Sequence, residues 1–227
     1  MTDTRFTEFE FDNAYSNNKR KKARLKKNDI TILVGRNGYG KSSFLQGLKQ
    51  YAEDMDNAIV VEWNDNEHGR GNAMSRMGFE DDLEGLASMI CRSEGQRMLT
   101  VIGRYFLAKA GYIVRHKGEQ HDTMFLLLDQ LDSGLDIAQL NRIKNILRDT
   151  VIPDMNSHGL SVYTVISANS FELVNGEYFL DPVTRTRKLF KTPDDYTKYI
   201  TNLYDPEDID WGGVIDENSY CNRGIQS

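Results

Sequence analysis

The chain has 227 residues, two cysteines and a formal charge of −6, from 28 lysines and arginines against 34 aspartates and glutamates. Its length allows a core without staples, its two cysteines exclude a disulfide framework, and its acidic balance excludes a generic polyanion binder. Apolar runs such as residues 124–128 are far too short to span a bilayer. No apolar leader follows Met1, so a cytoplasmic protein is expected, with no membrane partner and with Cys91 and Cys221 as ordinary thiols.

Residues 6–11 alternate apolar and polar side chains, which predicts a half-buried opening strand. A basic run follows, with Lys19, Arg20, Lys21, Lys22, Arg24, Lys26 and Lys27. Such a run can bind DNA, but without interleaved aromatics it fits better as a solvated hairpin whose lysines discourage edge pairing. The apolar segment 30–34 then leads into Gly35, Arg36, Asn37, Gly38, Tyr39, Gly40, Lys41, Ser42 and Ser43. This is the full GxxxxGK[ST] spacing, a strand before it and Phe44, Leu45, Leu48 and Tyr51 at helical spacing after it. Glycines at both ends let backbone N–H groups turn around a polyphosphate. Lys41 reaches the terminal phosphates, and Ser42 offers its hydroxyl to Mg²⁺.

A second buried strand is expected at residues 58–63, and residues 64–78, rich in Asn, Gly and Asp, form a loop or insertion. Short and long amphipathic helices follow at 83–90 and 96–113. The apolar run 124–128 predicts a strand buried on both faces, closed by Asp129 and Gln130. Ile137, Leu140, Ile143, Leu147 and Val151 mark a helix expected to stop near Pro153. A further buried strand (161–166), a hairpin (177–180 with 188–190) and a short helix capped at Thr192 complete the ordered part, before an acidic tail. His68, His116, His121 and His158 show no repeated ligand spacing, so no metal site is built on them.

From Leu126 to Asp129 the strand ending in an acid has the form of a Walker B segment, whose aspartate holds Mg²⁺ beside the loop serine. It runs directly into Ser133, Gly134, Leu135 and Asp136, and here the chain resembles the ABC-type ATPases. Their D-loop has this same Ser-Gly-Leu-Asp form. Their signature motif is matched at Ser93, Gly95 and Gln96, with Glu94 for a glycine and Arg92 for a leucine. The resemblance implies an α/β P-loop NTPase with a mainly parallel sheet, N-terminal antiparallel strands and a short C-terminal hairpin plus helix. Residues 1–203 would form the ATPase head and 204–227 the tail. It further implies a head-to-tail homodimer, in which Ser93, Gly95 and Gln96 of one chain face the phosphates held by Lys41 of the other, with Ser133 and Asp136 alongside.

Two positions depart from the family pattern. Gln130 replaces the glutamate expected after the Walker B aspartate, and Asn169 replaces the switch histidine. A glutamine amide orients water but cannot accept its proton. ATP and Mg²⁺ are therefore expected to bind, with slow hydrolysis involving Lys41, Asp129, Gln130 and Asn169. Phe11 or Tyr15 is the candidate to stack on adenine, and Asn64 and Asp65 are the nearest polar residues to a Q-loop position. The loop form GxNGxGKS resembles the soluble SMC and RecF-like branch. Only about fifty residues separate Ser42 from Ser93, a lean interval for a transporter motor. The expected roles are an ATPase working with a separate effector in DNA repair or defence, or a hydrolysis-impaired switch acting on a protein partner. A transporter motor is the less favoured third.

Overall fold

The computed structural model describes residues 5–12, 22–64, 96, 102, 108–116, 118–132, 135–169, 171–201 and 214–216. Strands β1 (Phe6–Glu10) and β2 (Lys22–Lys26) pair antiparallel as a separate two-stranded sheet, with Phe9 opposite Ala23. The remaining strands are β3 (Asp29–Val34), β4 (Ala58–Asn64), β5 (Thr123–Asp129), β6 (Ser161–Ala168), β7 (Phe179–Leu180), β8 (Arg187–Phe190) and β9 (Val214–Asp216). They form one sheet in the order β4-β5-β6-β3-β7-β8-β9, parallel from β4 to β7 and antiparallel from there to β9. The mainly parallel α/β architecture and the antiparallel N-terminal strands are as expected from the sequence. Strand β9 falls within residues 204–227, the stretch expected as a tail.

Period-two burial explains why these runs are strands. Ile30, Ile32 and Val34 of β3 face one layer with Met124, Leu126 and Leu128 of β5, whereas Leu33, Phe125, Leu127 and Val165 face the other. Every residue of β5 is buried, which is why its sequence is continuously apolar rather than alternating. Helix α1 (Lys41–Glu53) turns Phe44, Leu45, Leu48 and Ala52 onto the second layer, beside Phe9, Ala23 and Leu25 of the hairpin. Removing the Phe44 ring from this layer costs about 3–5 kcal/mol.

Among the described residues, the first layer holds α2 (Ala108–Arg115), α3 (Ile137–Ile146), α4 (Ile152–Ser157) and α5 (Pro193–Thr201). Asp136 caps α3 in a capping box with Gln139, each side chain accepting from the other residue's backbone N–H. The helix does not stop at Pro153, correcting the sequence expectation. A π-helical turn, Leu147–Val151, joins α3 to α4 with Pro153 in the first turn of α4. The wider turn takes up the missing N–H and the ring that would strain an α-helical register.

Candidate functional site

Three loops meet at the carboxyl edge of β3, β5 and β6, the edge at which open parallel sheets bind ligands. The first is the glycine-rich loop between β3 and α1. A Cβ on Gly35 would stand 2.5 Å from Tyr39 Cδ1, so the close turn admits no side chain there. Gly38 and Gly40 have φ of 79° and 87°, a region that glycine enters without strain. Gly40 is the N-cap of α1, and no side chain caps the first turn, so its amides and dipole suit an anion. Asn37, Gly38, Gly40, Lys41, Ser42 and Ser43, with Gln130, line a cavity of about 300 Å³.

Lys41 is 7% exposed. Its Nζ donates to the carbonyls of Gly35 (2.5 Å) and Arg36 (3.1 Å) and to Asn169 Oδ1 (2.8 Å). Burial lowers its pKa from the ordinary lysine value, against the opposing pull of the Asp132 and Asp129 carboxylates. All three hydrogen-bond acceptors are neutral, and it is the Asp132 and Asp129 carboxylates that favour the charged form an anionic ligand would meet.

Strand β6 lies between β3 and β5 and carries the connecting polar residues to the edge. Ser167, fully buried, donates through Oγ to Asp129 Oδ1 (2.5 Å) and accepts from the Gln130 N–H (2.8 Å). That bond holds Gln130 at φ 54°, a left-handed conformation rare for a side-chain-bearing residue. Two residues on, the Asn169 N–H donates to Asp132 Oδ2 (2.6 Å). Sequence reasoning missed Ser167. Its one signal was a serine within the buried stretch 162–168, where a hydroxyl must find a partner.

A second cavity, about 420 Å³, shares Ser42 and Ser43 with the first and adds Asp12, Gln46, Gln50, Glu62, Asn64 and Asp129. Ser42 and Asp129, the two expected metal ligands, thus border one space. Among the described residues no three His, Cys, Asp or Glu side chains converge as a complete metal cage. One hydroxyl and one 4%-exposed carboxylate fit a hard cation that keeps water and phosphate oxygens for its remaining positions. Asn64 ends β4 directly opposite Asp129 in the pairing register, bringing it to the same edge.

Beneath the loop, Asp181 is completely buried and accepts at Oδ1 from the N–H groups of Val183 and Thr184. Its Oδ2 receives Tyr199 (2.7 Å), Lys188 (3.3 Å) and Tyr39 (3.5 Å). Burial and this carboxylate push both phenols above the ordinary tyrosine value, so both remain donors.

The structure therefore brings Lys41, Ser42, Asp129, Gln130 and Asn169 to one edge. Asp136 serves as the cap of α3, and Gln96 is an exposed helical residue. Ser93, Gly95 and Ser133 lie outside the described residues, as do Lys19, Arg20 and Lys21, the 65–78 loop, the 83–90 helix and Tyr15. Phe11 does not offer a face to adenine. It is 6% exposed, edge-on to Phe44 at 5.0 Å and covered by the Arg185 guanidinium at 4.4 Å. No helix among the described residues is long and apolar enough to cross a membrane.

No family model matches the sequence, and no curated protein does. Among solved structures, the chain is similar to an RNase-L Inhibitor at 17% identity and a TM-score of 0.34, over 76% of this chain and 34% of that one. The chain thus spans about a third of that protein's length, and a likeness at that score carries no argument about this site.

Proposed function

We propose that this chain is a Mg·ATP-binding ATPase of the ABC type that hydrolyses slowly and acts on a separate partner as a nucleotide-dependent switch. The observation that carries the reading is the convergence on one sheet edge of Lys41, Ser42 and Gln130, which line the 300 Å³ cavity, Asp129, which borders the adjoining cavity with Ser42, and Asn169, which accepts from Lys41. The loop amides and α1 would hold the inner phosphates, Lys41 the terminal ones, and Ser42 with Asp129 the cation. Bound Mg²⁺ would supply charge neutralisation at the phosphates. Gln130 lines the phosphate cavity and can orient a water there, but takes no proton from it.

The composite dimer site, closed by Ser93, Gly95 and Gln96 of a second copy, belongs to the same proposal, with Ser133 and Asp136 at its margin. A DNA-directed role has less support. Among the described basic residues, Lys22 pairs with Glu8 at 2.9 Å and Lys26 with Asp29 at 3.4 Å, as a solvated hairpin would.

Size-exclusion mass with and without Mg·ATP, run together with phosphate release, tests the proposal. A dimer that forms with Mg·ATP and releases phosphate slowly is expected, and Gln130→Glu should raise release at least tenfold. Brisk release by the wild type with no gain in Gln130→Glu contradicts slow hydrolysis. Failure to bind Mg·ATP overturns the whole reading.

A further inference from the structure

Helix α5 touches the site from two sides, and the nucleotide reading assigns it nothing. Tyr196 and Tyr199 are three residues apart and so share one helical face. Tyr199 is 1% exposed, donates to Asp181 Oδ2 and lies 3.2 Å from the carbonyl of Val34, the last residue before the glycine-rich loop. It anchors the base of that loop. Tyr196 reaches the other side, where its hydroxyl donates to the main-chain carbonyl of Asn169. Burial, with the Asp132 and Glu172 carboxylates, pushes the Tyr196 phenol up to about 12, so it stays a donor at neutral pH.

Asn169 is thereby held at three points: its carbonyl by Tyr196, its N–H by Asp132 and its side-chain oxygen by Lys41. The three protons of the Lys41 ammonium are all engaged, two on loop carbonyls and one on Asn169. A phosphate that reaches Lys41 must displace an acceptor. The loop carbonyls are fixed by the turn, so the side-chain amide is the one that yields. Once released, that amide can turn its NH₂ group to the arriving phosphate, provided its backbone holds still. The loop amides serve the inner phosphates, so the phosphate meeting Asn169 is the terminal one.

We propose that Tyr196 is a positioning residue that fixes Asn169 for the third phosphate of a nucleoside triphosphate, making α5 responsive to whether that phosphate is present. The inference rests on the nucleotide reading above and adds the route by which occupancy leaves the site.

Competition against a fluorescent nucleotide, with Mg·ATP and Mg·ADP measured separately, tests it. Tyr196→Phe should weaken Mg·ATP about fivefold and leave Mg·ADP unchanged, the loss expected for one hydrogen bond. A merely structural role would weaken both equally, as expected for Tyr199→Phe. In the wild type, Mg·ATP should slow hydrogen exchange at the α5 amides more than Mg·ADP does. An unchanged ATP-to-ADP affinity ratio in folded Tyr196→Phe overturns the proposal while leaving nucleotide binding intact. Should that variant fail to fold, equal α5 exchange with both nucleotides in the wild type overturns it. A wild type that binds neither nucleotide removes the underlying reading as well.

Discussion

The two ends of the central strands both gather charge, but they hold it differently. At the amino end, Asp29 of β3 meets Arg148 (3.1 Å) and Lys26 (3.4 Å), and Glu177 meets Lys144 (2.6 Å) and Arg148 (3.3 Å). Each charge there is answered by its opposite. At the carboxyl end, Lys41 is held by two carbonyls and an amide oxygen, and Asp129 by the Ser167 hydroxyl. Paired charges are satisfied and inert. At the carboxyl end the direct contacts are neutral dipoles, and the opposite charges of Asp132 and Asp129 act on Lys41 electrostatically, so the cation is oriented yet open to a ligand. The contrast separates a structural ion network from a site within one sheet, without any appeal to motif.

Breaking the carboxyl end should change binding more than stability. Lys41→Met removes a desolvated ammonium, so Mg·ATP affinity should fall at least a hundredfold, read by fluorescent-nucleotide titration. The thermal midpoint should hold or rise, because burying the charge disfavours the folded state. Loss of the fold in this variant would show Lys41 to be a structural cation like those at the other end.

Ser167→Ala sits between the two regimes. It leaves the Gln130 N–H without its acceptor, at a cost of about 1–3 kcal/mol in denaturant unfolding, and loosens Asp129. Nucleotide affinity without Mg²⁺ should be preserved, while the Mg²⁺ concentration for half-maximal enhancement rises several-fold. Equal losses with and without Mg²⁺ would assign Ser167 to packing alone.

The smallest effect belongs to the amino end. Glu177→Gln should leave nucleotide affinity untouched and lower stability by about 1 kcal/mol, Glu177 and Arg148 being partly solvated although Lys144 is buried. Burial opposes the charge on Asp29 and Glu177. Hydrogen bonds and cations outweigh it: Ile30 N–H, Lys26 and Arg148 for Asp29, Lys144 and Arg148 for Glu177. Both carboxyls therefore lie below their ordinary values of 3.8 and 4.5. Folded pKa values below the unfolded ones mean that their stabilisation is full above that range and fades as pH falls through the folded values. Glu177→Gln should flatten the acid limb of a stability-against-pH curve, and an unaltered limb would show the network to be idle.

Legibility in the sequence followed how local each interaction is. The β5 strand, the glycine-rich loop and α1 were readable because continuous apolarity, fixed glycine spacing and helical periodicity each act within a dozen residues. Pro153 misled because a breaker was assumed to end a helix, whereas a π-helical turn five residues long absorbs it. Phe11 misled because its fate depends on Phe44 and Arg185, far along the chain. The Asp181 network was unreadable for the same reason. Asp181 before Pro182 looks like ordinary turn chemistry until Tyr39, Lys188 and Tyr199 close around it.

By itself the sequence determined that a glycine-rich loop of GxxxxGK[ST] spacing, an acid-terminated apolar strand and the non-titrating Gln130 and Asn169 occur along the chain. These are statements about residue type and spacing, which local backbone sterics and periodic burial enforce. Tertiary structure alone decided that β6 would lie between β3, which leads into the loop before Lys41, and β5, which ends in Asp129, so that Asn169 meets Lys41 and Ser167 meets Asp129. Strand order is set by which apolar faces find one another across the whole chain, and no local pattern records it.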